Sequence, residues 1–378
     1  MFTLDQALEA IKDKPEFAYK VKDGYSVIDY NYVDSNTFTG KNESETTILK
    51  NLRGTCFDAN GKIIRLMYHK FHNLNENPEY HSDTVAATHG DHYTVEQKLD
   101  GSLISPIKIT CANYRLGTRA GVTEVADMAE AYLKNANFDV LLDYDNLIMT
   151  CLNLDLTPMF EFCSRKNRVV IDHPVDRLVL HGIRCMVTGT YVNIYSFPVP
   201  PLVERVAIKS SDESSLLEVA EYIKTLENDE GVVLKYPDGF MLKMKSLEYV
   251  NLHRCLDGLR TESSVLKLIL NNQLDDALGI LSCDLKNKVV AYRNSVLQSI
   301  EDVDVFIKKD FTNIMLDNPV IDKKTFASMV VNHEFKSQLF RLYDSKPLEL
   351  HELVLSKTGS QTLVDSVRRF IGKPYNEF

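Results

Sequence analysis

Lys98 stands in the segment Glu96-Gln97-Lys98-Leu99-Asp100-Gly101-Ser102-Leu103, at the end of a β-like run and directly before an Asp-Gly turn. A side chain there projects from a rigid edge into open space. Lysine becomes a nucleophile only after losing its proton, which burial or neighbouring cations promote. Phe240-Met241-Leu242-Lys243-Met244-Lys245 offers such cations. Strand periodicity puts Lys243 and Lys245 on one face, with Leu242 and Met244 on the other. Beside a nucleoside triphosphate the two lysines would neutralise phosphate charge. The same alternation also suits a solvated edge strand.

Two acids complete the set. Glu230-Gly231-Val232-Val233-Leu234-Lys235-Tyr236, followed by Pro237-Asp238-Gly239, reads as a strand, a type I turn and the return strand bearing Lys243 and Lys245. Glu230 therefore enters the same hairpin. In Met159-Phe160-Glu161-Phe162 an acid lies between two aromatics of a strand-like run, so the carboxylate turns to a pocket while the rings pack elsewhere. Such a carboxylate can hold a ribose hydroxyl or a divalent metal.

These segments belong to a half of the chain, about Tyr19 to Ser246, made of short β-like runs such as Tyr93–Lys98, Leu103–Ile109 and Val169–Ile171, punctuated by Asp-Gly and Pro turns. The expected fold is α+β with antiparallel sheets. From about Leu247 onward Gly and Pro are sparse. Leu285, Val289, Tyr292, Val296, Ile300, Val303 and Ile307 recur at steps of three or four, the spacing of a helix. Further helices are expected at about 262–282, 323–344, 347–356 and 360–370. The expected division is 1–250 and an all-helical 251–378, a compact bundle.

The chain of 378 residues is 44% hydrophobic, enough for two or three domains. It has no apolar run of membrane length and no basic-then-apolar leader, which points to a cytoplasmic protein without a membrane partner, in a host cytoplasm if phage-encoded. Seven scattered cysteines without a C-x-x-C pair fit reduced thiols and argue against zinc. The net charge of −10 means that any nucleic acid must be met by a local basic surface. There is no G-x-x-x-x-G-K-[ST] loop, no G-x-G-x-x-G opening a helix and no H-E-x-x-H, which leaves kinase, P-loop ATPase and zinc-hydrolase chemistry without support.

Taken in order, Lys98-Leu99-Asp100-Gly101, Phe160-Glu161-Phe162, Glu230-Gly231 and Leu242-Lys243-Met244-Lys245 resemble the motifs of the covalent nucleotidyltransferase superfamily of ATP-dependent ligases and RNA capping enzymes. Tyr30-Asn31-Tyr32, Leu52-Arg53-Gly54, Lys70-Phe71-His72-Asn73-Leu74-Asn75-Glu76-Asn77 and Asn167-Arg168-Val169-Val170 resemble segments of the bacteriophage RNA ligase 1 family, the tRNA-repair ligases. The resemblance covers about residues 20–255 and is faint in the tail. His72 departs from it, standing where an aromatic is expected.

The resemblance implies that Lys98 accepts AMP and that Tyr30, Arg53, Lys70, Glu161, Lys243 and Lys245 contact ATP, with Gly101, Arg119, Glu230 and Tyr249 in support. It implies Mg²⁺, with Mn²⁺ as an alternative, and Asp275 or Glu230 as metal ligands. It also implies an RNA partner with 5′-phosphate and 3′-hydroxyl ends, such as a nicked tRNA anticodon loop. A DNA ligase or a capping guanylyltransferase would normally carry a β-barrel OB domain after the catalytic one, and the helical tail argues against both. An inactive ligase-like protein that only binds RNA ends stays open, although the intact lysine and acids disfavour it.

Overall fold

Runs rich in Val, Ile, Tyr and Phe, broken by Gly, Asn and Asp, fold into three antiparallel sheets. In the first sheet β1 (Phe17–Lys22), β2 (Tyr25–Tyr30), β3 (Thr55–Phe57) and β4 (Ile63–Arg65) follow chain order. β5 (Thr94–Lys98) belongs to another sheet, in the order β11 (Ile208–Ser210), β5, β12 (Gly231–Lys235), β13 (Met241–Lys245). Between them in sequence, β6 (Ser102–Thr110), β7 (Asn113–Gly117), β8 (Leu156–Cys163), β9 (Arg177–Cys185) and β10 (Tyr191–Val192) form a sheet in the order β10-β9-β8-β6-β7. The computed structural model describes residues 1–110, 112–210, 215–274, 278 and 283–378. These divide into two units, Met1–Val250 and Asn251–Phe378.

In the first unit, helices Glu124–Asn135 and Phe138–Asn153 start at Thr123 and Asn137, whose side chains accept from the N–H groups of Ala126 and Val140. Their apolar faces, including Ala126, Leu133, Leu147 and Ile148, share a core with Leu99, Ile104, Phe160, Phe162, Leu178 and Leu180. Phe160 and Phe162 point into that core and Glu161, one step out of phase, points away from it. The β12–β13 turn closes with Gly239 N–H donating to Tyr236 O at 3.0 Å, and Gly239 has a φ of +89°, where a side chain would be strained. Val169–Ile171 is not a strand. Its apolar run carries backbone N–H groups that a buried carboxylate captures, as described below.

The second unit is helical, with helices Glu262–Leu270, Cys283–Asp317, Lys323–Met329, Lys336–Tyr343, Leu350–Leu355, Gln361–Ser366 and Arg368–Ile371. Val289, Tyr292, Val296, Ile300 and Ile307 line the buried stripe of the long helix. The expected helix at 262–282 is broken after Leu270, where Asn272 takes a φ of +54°, and its residues 275–277 and 279–282 lie outside the described residues. The one expected at 323–344 is two, and the His333 ring accepts the Phe335 N–H at 3.0 Å in the break. The stretch at 360–370 is likewise two short helices. Buried Glu262 clasps this unit, meeting the Arg368 guanidinium at 2.6 and 2.7 Å and accepting from Tyr292 Oη at 2.8 Å. Arg368 holds its carboxyl down at about 2, against the opposing effect of burial. Among the described residues no helix is long and apolar enough to cross a membrane. Cys56, Cys151, Cys163 and Cys185 are free thiols.

Candidate active site

Strand register brings the chemistry together. Gly231 in β12 sits opposite Lys98 in β5 on one side and Lys245 in β13 on the other; two residues along, Val233 is opposite Glu96 and Lys243. With a side-chain period of two, Glu96, Lys98, Lys235, Lys243 and Lys245 share one face. Glu230, only 3% exposed, sits at the head of β12. Its Oε2 is 2.7 Å from Lys98 Nζ and its Oε1 is 3.0 Å from Lys245 Nζ, so both oxygens face lysines. Gly231 has a φ of +139°, and a Cβ there would lie 2.0 Å from Met244 O, which is why a glycine follows the glutamate.

The turn after Lys98 is pinned from three directions. Asp100 Oδ2 accepts from the backbone N–H groups of Val170 and Ile171 at 2.8 and 2.6 Å, and Oδ1 from Tyr249 Oη at 2.7 Å. His173 Nε2 donates to the Asp100 carbonyl at 2.6 Å. Gly101 lies so close to β8 that a Cβ would be 2.6 Å from Phe162 O. The Lys245 ammonium stands 4.8 Å from the centre of the Tyr249 ring, an arrangement favourable to the cation.

Lys98 opens on a cavity of about 490 Å³ whose wall includes Asp29, Arg53, Tyr68, Phe71, Glu96, Gly101, Arg119, Glu161, His181, Lys235 and Lys243. Four cations thus converge with Lys98: Arg53, Arg119, Lys235 and Lys243. Arg65, fully buried, donates to Gly54 O at 3.1 and 2.7 Å and locks the turn that presents Arg53. Gly54 has a φ of +72° and abuts the Arg119 backbone; a Cβ would lie 2.7 Å from Arg119 Cα. Arg119 stands 4.5 Å over the Tyr30 ring and 3.5 Å from Asp29. Burial raises the Asp29 carboxyl above its usual range, and Arg119 opposes that rise.

Lys243 is held between β12 and residues 72–74: its N–H donates to His72 O and its carbonyl accepts from Leu74 N–H, both at 3.1 Å. The ammonium stands 5.8 Å from the Phe71 ring centre. Burial, then repulsion from Lys70, Lys98, Arg53 and Lys245, pushes it down to about 7. Lys70 itself lies off the cavity wall, against the Phe38 ring at 5.8 Å. Tyr30 and Glu230 also lie off that wall, each in contact with a residue on it, Arg119 and Lys98 respectively, and Lys245 and Tyr249 lie behind Glu230 and Asp100. Asp275 lies outside the described residues. Among the described residues no three His, Cys, Asp or Glu side chains form a metal-binding cluster.

Four wall residues escape a motif-based reading. Lys235 Nζ donates to Glu96 Oε2 at 2.7 Å, Tyr68 Oη at 3.0 Å and His181 O at 2.6 Å, which uses all three of its N–H bonds. The His181 ring stacks on Tyr68, centres 5.3 Å apart, and its Nε2 is 3.5 Å from Glu161 Oε2. Glu96 and Lys235 were within reach of the period-two rule applied to Lys98 and Val233. Tyr68 and His181, 113 positions apart, carry no such signal.

The sequence matches the family described as RNA ligase over residues 51–249, more than half of the chain. The chain belongs to the RNA ligase family. As such it is an enzyme, a ligase that acts on RNA. The ligase is 26% identical over 317 residues to a protein of Thermovibrio ammonificans named "Putative RNA ligase", covering 79% of this chain and 77% of that one. It is 22% identical over 293 residues to the "Putative bifunctional polynucleotide kinase/RNA ligase" of Autographa californica nuclear polyhedrosis virus, covering 74% of this chain and 40% of that protein. An archaeal ATP-dependent RNA ligase structure aligns with 79% of the ligase and 78% of its own chain, at 16% identity and a TM-score of 0.43.

Proposed function

We propose that this RNA ligase uses ATP to form a covalent lysyl-AMP on Lys98, transfers the AMP to a 5′-phosphate RNA end and joins that end to a 3′-hydroxyl. The observation that carries the reading is the Lys98 ammonium, paired with Glu230 at 2.7 Å, at the mouth of a cavity bearing Arg53, Arg119 and Lys243. Proton loss to Glu230 or solvent frees the Nζ lone pair. Nζ then forms a bond to the α-phosphorus and the bond to the β-phosphate oxygen breaks, its electron pair leaving with pyrophosphate. The guanidinium and ammonium groups offset charge on the phosphate oxygens throughout. In the next two steps the RNA 5′-phosphate displaces Lys98 from the AMP, and the 3′-hydroxyl displaces AMP from the RNA.

Lys235 has no N–H to spare, so the Glu96–Lys235 pair presents to the cavity only carboxylate lone pairs, which accept from the N–H groups of a purine base. Both Glu230 oxygens face lysines, Glu96 is paired with Lys235 and Asp29 with Arg119, so Glu161 is the wall carboxylate that would hold a Mg²⁺ or Mn²⁺ ion. When bound it would offset charge on the triphosphate. Residues 1–250 carry nucleotidyl transfer in this reading and 251–378 select the RNA, with a nicked tRNA as the favoured substrate.

Incubation with α-labelled ATP and Mg²⁺ should label the protein in an acid-labile bond, and Lys98→Ala should abolish the label. Labelling of that variant would sink the reading. Labelling by GTP in preference to ATP would indicate capping chemistry instead. Ligation of nicked tRNA, linear RNA and DNA ends side by side tests the acceptor; equal use of DNA overturns the RNA preference.

A further inference from the structure

We propose that the loop Arg165-Lys166-Asn167-Arg168 is the surface that receives the phosphates of the RNA strand whose 5′ end is being activated. This rests on the lysyl-AMP reading of Lys98. A chain with a net charge of −10 repels a polyanion at long range, so the strand must be met by a local cluster of cations. Three cations in four consecutive residues stand here, directly after the strand β8 that carries Glu161. Arg165 and Lys166 are exposed.

The loop is built onto the turn that follows the nucleophile. Asn167 Nδ2 donates to Ser102 Oγ at 2.8 Å, and Val170 and Ile171 donate their N–H groups to the buried Asp100 carboxylate. Arg168 Nε donates to Val170 O at 2.8 Å and stiffens the connection. A strand lying on this loop is therefore held in register with Lys98 by a short chain of hydrogen bonds, whereas cations elsewhere on the surface would hold it at no fixed distance.

Two acids stand at the cluster: the exposed Asp176 carboxylate accepts the Arg165 backbone N–H at 3.1 Å and leaves the guanidinium free of it, whereas Asp172 pairs with side chains. Asp172 lies 3.3 Å from Arg165 and 4.0 Å from Arg168, with side chains half exposed or more at Arg165 and Asp172. Ion pairs this exposed are weak, and a phosphate replaces the carboxylate at little cost. Lys166 has no ion-pair partner among the described residues.

The test is the full-length Arg165→Ala/Lys166→Ala double variant against the parent, with a 5′-phosphorylated single-stranded RNA. Lysyl-AMP formation from ATP should stay within about twofold of the parent, while KM for the RNA rises about tenfold and the slope of log affinity against log salt falls by about 1.4, two contacts at about 0.7 each. Lys166→Arg should retain parental affinity, and Lys166→Glu should weaken it further. Normal labelling with unchanged KM and salt slope would overturn the loop's role. Absence of labelling in the parent would instead overturn the lysyl-AMP reading; RNA affinity and its salt slope, measured by anisotropy without ATP, would still decide the loop.

Discussion

The Tyr249 hydroxyl donates to Asp100 Oδ1 at 2.7 Å, joining two residues 149 positions apart in the chain. Through this bond the residue two places after Lys98 is fastened to the helix Leu247–Gly258 that follows the hairpin bearing Lys243 and Lys245. Burial, and then the nearby Glu230 and Asp100 carboxylates, drive the phenol's pKa upward, so it stays a donor. The Lys98 turn thus has a fixed orientation before any nucleotide arrives.

Tyr249→Phe should therefore slow lysyl-AMP formation about tenfold, the value of one hydrogen bond to a carboxylate. Single-turnover labelling measures it. A parental rate would mean that Val170 and Ile171 suffice to hold Asp100.

His173 acts on the same turn through its bond to the Asp100 carbonyl. We expect His173→Ala to lower the rate of adenylylation several-fold with the KM for ATP little changed, because the ring lies off the cavity wall. Gln can place an N–H near the position of Nε2, so His173→Gln should recover part of the rate. Equal loss in both variants, or a rise in KM matching the fall in rate, would contradict a positioning role.

Replacing Glu230 by Gln keeps the shape and removes the charge shared by Lys98 and Lys245. The two ammonium groups are 23% and 29% exposed, so water softens the loss, and a destabilisation of about 1–3 kcal/mol is expected. Urea unfolding reads it. Gly231→Ala should cost more than Glu230→Gln, since its Cβ would collide with the Met244 carbonyl.

Lys243 is expected to make both stability and ATP binding pH-dependent. Its pKa is about 7 in the folded chain, below the ordinary lysine value of 10.5. Above about pH 7 the unfolded chain binds the extra proton, so this group's penalty on folding is full below pH 7 and fades as pH rises towards the unfolded value. Triphosphate binding favours the charged form. ATP binding at pH 8 should then take up a proton, visible as a calorimetric enthalpy that varies with the buffer, and affinity should fall as pH rises above 7. Lys243→Met should remove the proton uptake; uptake that survives this change would place the titration elsewhere.

How far the site was legible depended on separation along the chain. Lys98, Lys243 and Lys245 announce themselves through a turn and a period of two, and Glu230 through the hairpin it opens. Glu161 is legible because aromatic neighbours must face a core, which Phe160 and Phe162 do. Val169–Ile171 shows the limit of that reasoning: three apolar residues look like a strand, yet the N–H groups of Val170 and Ile171 go to Asp100. In the second unit the stripe from Val289 to Ile307 was plain, whereas the helix break at Asn272 turned on a single backbone angle.

By itself the sequence determined the kinds of element, the lysine proposed as nucleophile and the cations beside it, because these depend on local period and turn chemistry. Tertiary structure alone decided that Arg65 locks the Arg53 turn against Arg119, that Lys235 is saturated by Tyr68, His181 and Glu96, and that Asp100 is gripped from Val170, His173 and Tyr249. Those contacts join residues up to 167 positions apart. Buried polar groups must find partners wherever the packed chain brings them, and no local pattern encodes who those partners are.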